Sequence, residues 1–244
     1  MKFPSHSVVT SLLALILIGS DLTAQSGGSS ALPEQPGGPE DSWQQRDMKA
    51  DLIEGYISSG NPDHKLEALD WISRMIEEDT TASENIRLAE QLETLALEPF
   101  LNPRREGMVP TLENDHPLVR KKTAVVLGDL GGQPAADILV NMLKLEGNPD
   151  VLKDVMYSLG RIALNENMEV TRQIGTTLRS MDRRGEVDNE LAYASLFAIH
   201  RIALNELPSG DEQIYDTLLL LYDEKFSRLV HEKAREVLEL LWKA

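Results

Sequence analysis

Apolar residues recur at helical spacing in one segment of this chain after another. Met48, Leu52, Ile53, Tyr56 and Ile57 fall on one helix face, and Ser58-Ser59-Gly60 stops that helix. A second stripe, Leu66, Leu69, Ile72, Met75 and Ile76, predicts a helix from Pro62 to about Glu77. The same periodicity predicts helices over 83–98, 117–130, 134–145, 149–165, 169–181, 188–205, 211–223 and 226–242. Asn61 and Asn148 are natural N-caps, each followed by a proline at the first helical position, where a missing N–H leaves no bond unmade. Gly131-Gly132 reads as a helix stop. The stretch from Pro99 to Asp115, with Pro103, Arg104, Arg105, Gly107 and Pro110, is long beside the roughly 2–8 residues of an ordinary helix–helix connection, and reads as an insertion.

The helical pattern is a repeat. Sliding Pro117 onto Pro149 superposes Val119 on Val151, Leu127 on Leu159 and Gly128 on Gly160. Arg161-Ile-Ala-Leu-Asn-Glu166 returns letter for letter as Arg201-Ile-Ala-Leu-Asn-Glu206, and Asn61-Pro-Asp63 anticipates Asn148-Pro-Asp150. Self-similarity of this period marks an all-α architecture, an α-solenoid of about five antiparallel helix pairs over 47–244. Asp115 before the Pro-x-Val-Arg-x-x-x-Ala-x-x-Leu-Gly-x-Leu run of Pro117 to Leu130 resembles the second helix of HEAT and HEAT-like (PBS-lyase-type) repeats. The resemblance covers about Asp47 to Ala244 and is tightest from Asn114 to Glu166. It implies a right-handed superhelix whose second helices line a concave, partner-binding surface.

The first 24 residues break the pattern. Lys2, an apolar run from Val8 to Ile18 and then Gly-Ser-Asp-Leu-Thr-Ala read as an export signal over 1–24, with cleavage after Ala24. The run is shorter than the ~20 apolar residues that span a bilayer, so membrane contact is expected only through a signal left uncleaved. Residues 25–46, rich in Ser, Gly, Pro, Glu and Gln, read as a flexible linker. The chain is therefore expected to be exported, to a periplasm or beyond.

Composition narrows the function. A formal charge of −16 and a pI near 4.7 repel nucleic acid. The absence of cysteine excludes thiolate metal sites and Cys nucleophiles. His64, His116, His200 and His231 fall in different repeats without ligand spacing such as H-E-x-x-H, and no G-x-S-x-G, P-loop or EF-hand occurs. HEAT-like proteins resembling deoxyhypusine hydroxylase carry several His-Glu pairs for a di-iron site, whereas this chain has only His231-Glu232. HEAT-like DNA glycosylases need a basic groove, at odds with this charge. The expectation is a non-enzymatic protein with no cofactor and no metal.

Candidate contacts for a partner lie on the second helices. The repeat superposition puts Arg74, Asp129, Arg161, Arg201 and Glu239 at equivalent positions, one per repeat. Two readings follow: alternating salt bridges between repeats, or a stripe on which Arg161 and Arg201 grip a carboxylate-bearing segment bidentately. Tyr157, Phe197 and His200 lie within a turn of these arginines and could anchor an interface, or pack between repeats. Arg104-Arg105, Arg120-Lys121-Lys122 and Arg183-Arg184 read as solvated turns and helix faces; alternatively, the Arg104 loop folds near Arg120 as a local positive patch. The function expected is a scaffold holding a protein or peptide on its concave face. The alternative is a structural subunit of a larger envelope complex, docked through exposed Leu240, Leu241 and Trp242, and a third reading is an enzyme accessory or an uncharted hydrolase.

Overall fold

The computed structural model describes residues 50–78, 86–104, 114–205 and 212–242. The expected signal, the linker, Met48, Arg105 and most of the inserted loop lie outside them. Ten helices form among the described residues: α1 (50–57), α2 (Pro62–Glu78), α3 (Ile86–Leu101), α4 (Pro117–Leu130), α5 (Gly132–Leu145), α6 (Pro149–Ile162), α7 (Glu169–Arg183), α8 (Asn189–Asn205), α9 (Glu212–Leu221) and α10 (Arg228–Trp242). A 3-10 turn, Glu166–Met168, precedes α7.

Local chemistry explains the helix starts. The side chains of Asn61 and Asn148 accept hydrogen bonds from the backbone N–H of Asp63 and Asp150, each at 2.9 Å, so the shared Asn-Pro-Asp triplet makes one cap twice. Asp188 does the same for α8, accepting from Glu190 and Leu191. Gly131 and Gly132, at φ 71° and 74°, turn α4 into α5 almost without a connection, in a conformation that a side chain would strain.

The helices form two layers packed side by side. Even-numbered helices stack on one another, α2 on α4, α4 on α6, α6 on α8 and α8 on α10, and these make the most extensive contacts in the molecule. Odd-numbered helices stack likewise, α3 on α5, α5 on α7 and α7 on α9, with the pairs α3/α4, α5/α6 and α9/α10 joining the layers. The buried stripes meet between the layers in one continuous core that includes Leu69, Ile72, Leu92, Leu127, Leu139, Met142, Leu152, Met156, Leu159, Ile174 and Leu191. Two glycines set the spacing of the even layer. A Cβ on Gly160 would stand 2.8 Å from the Phe197 ring and 3.0 Å from the Ala198 Cα, and one on Gly128 would meet the Ser158 side chain at 2.7 Å.

Some boundaries differ from expectation. The helix α3 does not stop at Glu98 but runs through Pro99 to Leu101. Proline there forfeits only the bond to the Leu95 carbonyl, and its buried ring joins the core. The helix α6 stops at Ile162, short of Asn165, because Ala163 adopts a left-handed conformation with φ 55° and ψ 31°.

Candidate functional site

Charge on the even layer is organised differently from the expected ladder. Arg161 pairs with Asp129 across α6 and α4, and its other guanidinium nitrogen donates to the Val125 carbonyl at 2.7 Å and reaches Ser158 at 3.3 Å. That is one rung. Arg74 instead donates to the Asp70 carbonyl of its own helix, and Glu239 lies 3.9 Å from Arg235 one turn away. Arg201 is exposed and has no ion-pair or hydrogen-bond partner among the described residues. The two arginines read as equivalent are therefore unequal: Arg161 fastens two helices, and Arg201 projects unengaged.

Other charges do link successive even helices. Lys122 pairs with Asp70, Lys121 lies 3.8 Å from Asp154, and Lys153 reaches Glu190 at 2.7 Å and Asp150 at 2.8 Å. Lys153 is held protonated by hydrogen bonds to Asp150 and Glu190, and Asp150 is in turn pulled below the usual carboxylate range by Lys153.

The Arg104 backbone is tied just ahead of α4, its N–H donating to the Asn114 side chain at 3.0 Å, but Arg104 and Arg120 are each paired with acids of their own. Arg120 is 3% exposed, gripped by Asp115 and by Glu146, whose Oε2 accepts from its Nε at 2.6 Å. Burial alone would lower the Arg120 pKa, but the hydrogen bonds to Glu146 and Asp115 more than reverse this. The Phe100 ring lies beneath its guanidinium, 5.2 Å from the ring centroid. Arg104 lies 3.3 Å from Glu98, which also pairs with Lys65. The two buried cations among the described residues, Lys65 and Arg120, each occupy the fourth helical position after the N-cap, with a glutamate from the end of the next odd helix as counter-ion. Leu152 holds the same position in α6 and is buried without charge. The repeat superposition aligns the three positions, but it does not reveal that Lys65 and Arg120 are buried.

The aromatic candidates divide. Tyr157 is 38% exposed and meets Phe197 in a tilted arrangement, with ring centroids 5.4 Å apart and ring planes at 56°. Phe197 is half-buried on Gly160, so it packs between helices and offers only part of its ring outward. His200 is half-buried between α8 and α10, with Lys233 Nζ 3.2 Å from its Nδ1. Burial, then the neighbouring Lys233, holds its pKa below the usual value, which favours the neutral ring.

Residues missed by sequence reasoning complete the face. An open groove of about 780 Å³ runs across α6, α8 and the start of α10, lined by Lys121, Asp150, Lys153, Asp154, Tyr157, Glu190, Tyr193 and Leu229. Tyr193 and Leu229 also line a neighbouring depression of about 360 Å³ with Glu232, Lys233 and Glu236. Tyr193 aligns with Lys153 in the repeat, so a search for repeated residue types passes over it.

Compared with known proteins, the chain matches no family model, no curated protein and no solved structure. No group of three or more His, Asp or Glu residues that could hold a metal occurs among the described residues, and none of their helices is long and apolar enough to cross a membrane.

Proposed function

We propose that the chain is an exported HEAT-like scaffold whose even-numbered helices bind a protein or peptide segment. The observation that carries this reading is the groove crossing α6, α8 and α10, where Tyr157, Tyr193 and Leu229 lie among charged side chains. Apolar anchors within a polar rim are the usual anatomy of a protein interface. The face is built on stacked helices locked by Gly128 and Gly160, so little ordering cost attends binding. Arg201 stands two turns beyond Tyr193 on α8 as a cation available to a partner carboxylate.

Affinity capture with residues 25–244 from the native envelope extract tests the reading, run beside a Tyr193→Ala/Arg201→Glu variant. A prey lost with the variant is expected. A prey retained by both moves the interface off this face.

One observation favours a structural-subunit role as the second reading. At the last pair, Tyr215, Leu219 and Tyr222 are exposed on and beside α9, and Trp242 at the end of α10 is 90% exposed. With Leu218 and Leu238 the first three line an apolar hollow of about 370 Å³. A prey retained by the even-face variant but lost with Leu219→Glu would establish that role.

A further inference from the structure

Within the groove, one carboxylate is poorly served. Asp154 lies one turn before Tyr157 on α6 and lines the groove with it and with Tyr193 of α8, and it accepts no hydrogen bond among the described residues. Its nearest cation, Lys121, stands 3.8 Å away, beyond hydrogen-bond length. Lys153 is already occupied, divided between Asp150 and Glu190. Partial burial holds the Asp154 carboxyl above the usual carboxylate range, with Asp150 acting alike and Lys121, Lys153 and Arg161 opposing the shift only in part. Glu190 and Asp150 add negative charge at the rim, so three carboxylates in the lining face two lysines, on a chain of net charge −16. An under-coordinated carboxylate in a groove that two tyrosines also line is suited to one class of guest. A guanidinium or ammonium group meets the carboxylate with N–H donors and the ring faces with its charge.

Resting on the scaffold reading above, we infer that this groove receives a lysine or arginine side chain of the partner segment, with Asp154 as counter-ion and Tyr157 and Tyr193 as walls. The partner is then bipolar along α8: a cation seats beside Tyr193, and a carboxylate two helical turns on meets Arg201.

The test uses residues 25–244 and two labelled nine-residue peptides, one with a central arginine pair flanked by leucines and serines, the other with both arginines replaced by glutamine. Anisotropy titrations at about 0.15 M salt screen the field of the whole molecule beyond ~8 Å. The arginine peptide is expected to bind about tenfold tighter than the glutamine peptide, the factor that corresponds to one carboxylate and two ring contacts. Asp154→Asn, which conserves size, and Tyr157→Leu, which removes the ring, should each remove most of that difference, while Glu90→Gln, at an exposed position on α3, should leave it intact. Melting curves confirm that the variants are folded. Equal binding of the two peptides, an undiminished preference in Asp154→Asn, or an equal loss in Glu90→Gln would overturn the assignment. Prey capture abolished by Tyr193→Ala/Arg201→Glu but unchanged by Asp154→Asn would also overturn it, while leaving the scaffold reading standing.

Discussion

The side-chain amide of Asn205 donates to the backbone carbonyl of Ala163 at 3.0 Å, tying the end of α8 to the end of α6. These residues belong to the two identical Arg-Ile-Ala-Leu-Asn-Glu segments, which do not share a conformation. In the second copy Arg201 to Asn205 stay helical; in the first the helix ends and Ala163 turns left-handed. Asn165, the counterpart of Asn205, instead accepts from the Thr171 N–H at the start of α7. Glycine substitution of the matching alanines should therefore have opposite signs. Ala163→Gly is expected to stabilise by about 0.5–1 kcal/mol, by relieving a left-handed alanine. Ala203→Gly, inside a helix, should destabilise by about 1 kcal/mol. Urea unfolding of the two variants reads both.

Gly160 and Gly55 offer a second contrast. A methyl at Gly160 meets the Phe197 ring and the α8 backbone, so Gly160→Ala should cost about 1–3 kcal/mol by overpacking. Nothing lies within 4 Å of a Cβ on Gly55 in α1, and Gly55→Ala should gain up to about 1 kcal/mol from helix propensity. Melting temperatures moving in the same direction would discredit the close-approach account of the even layer.

Arg120 and Glu146 form a pair whose side chains are 4% and 2% exposed. Arg120→Leu leaves Glu146 buried without its cation and should cost about 3–5 kcal/mol. Adding Glu146→Gln should recover much of this, since the amide oxygen can still accept from the Gly147 and Asn148 N–H groups that Glu146 Oε1 now serves. A double-mutant cycle in urea checks it, and strictly additive losses would contradict the pairing.

His200 makes stability depend on pH. Its folded pKa lies below the unfolded value of about 6.5, through burial first and Lys233 next, with Arg201 acting alike and Glu236 opposing. The folded state thus binds its proton less readily, so this contribution is present above the unfolded pKa and is lost as pH falls through the folded one. His200→Gln should flatten that part of the acid limb in a pH series of melting curves.

Asp154 has the opposite sign. Its pKa is raised by burial, so the ionised form is disfavoured by folding, and the stability lost as pH rises through the folded pKa should be restored by Asp154→Asn. The melting temperature of that variant at neutral pH is expected to hold or rise while arginine-peptide binding falls. A residue kept only for packing would not separate the two readouts.

The described helices follow the periodicity, and α3/α4, α5/α6 and α9/α10 pack as the pairs expected, because stripe spacing, the Asn-Pro-Asp caps and the Gly131-Gly132 stop are local signals. What was not legible depends on neighbours distant in sequence. Arg120 looks like one member of a basic run until Glu146 and Asp115 close over it. Arg161 and Arg201 share a hexapeptide, yet only Arg161 has an aspartate on the preceding even-numbered helix within reach. Tyr193 matters through the groove it shares with α6 and α10, a relation that no comparison of repeat letters contains.

The two-layer stacking also bears on how the chain is made. Among the described residues each substantial contact joins helices adjacent or next-but-one in order, so none of these helices awaits a partner synthesised much later. Each new hairpin can dock on the one before it as it emerges, and assembly should proceed from either end or the middle without a long-range closing step.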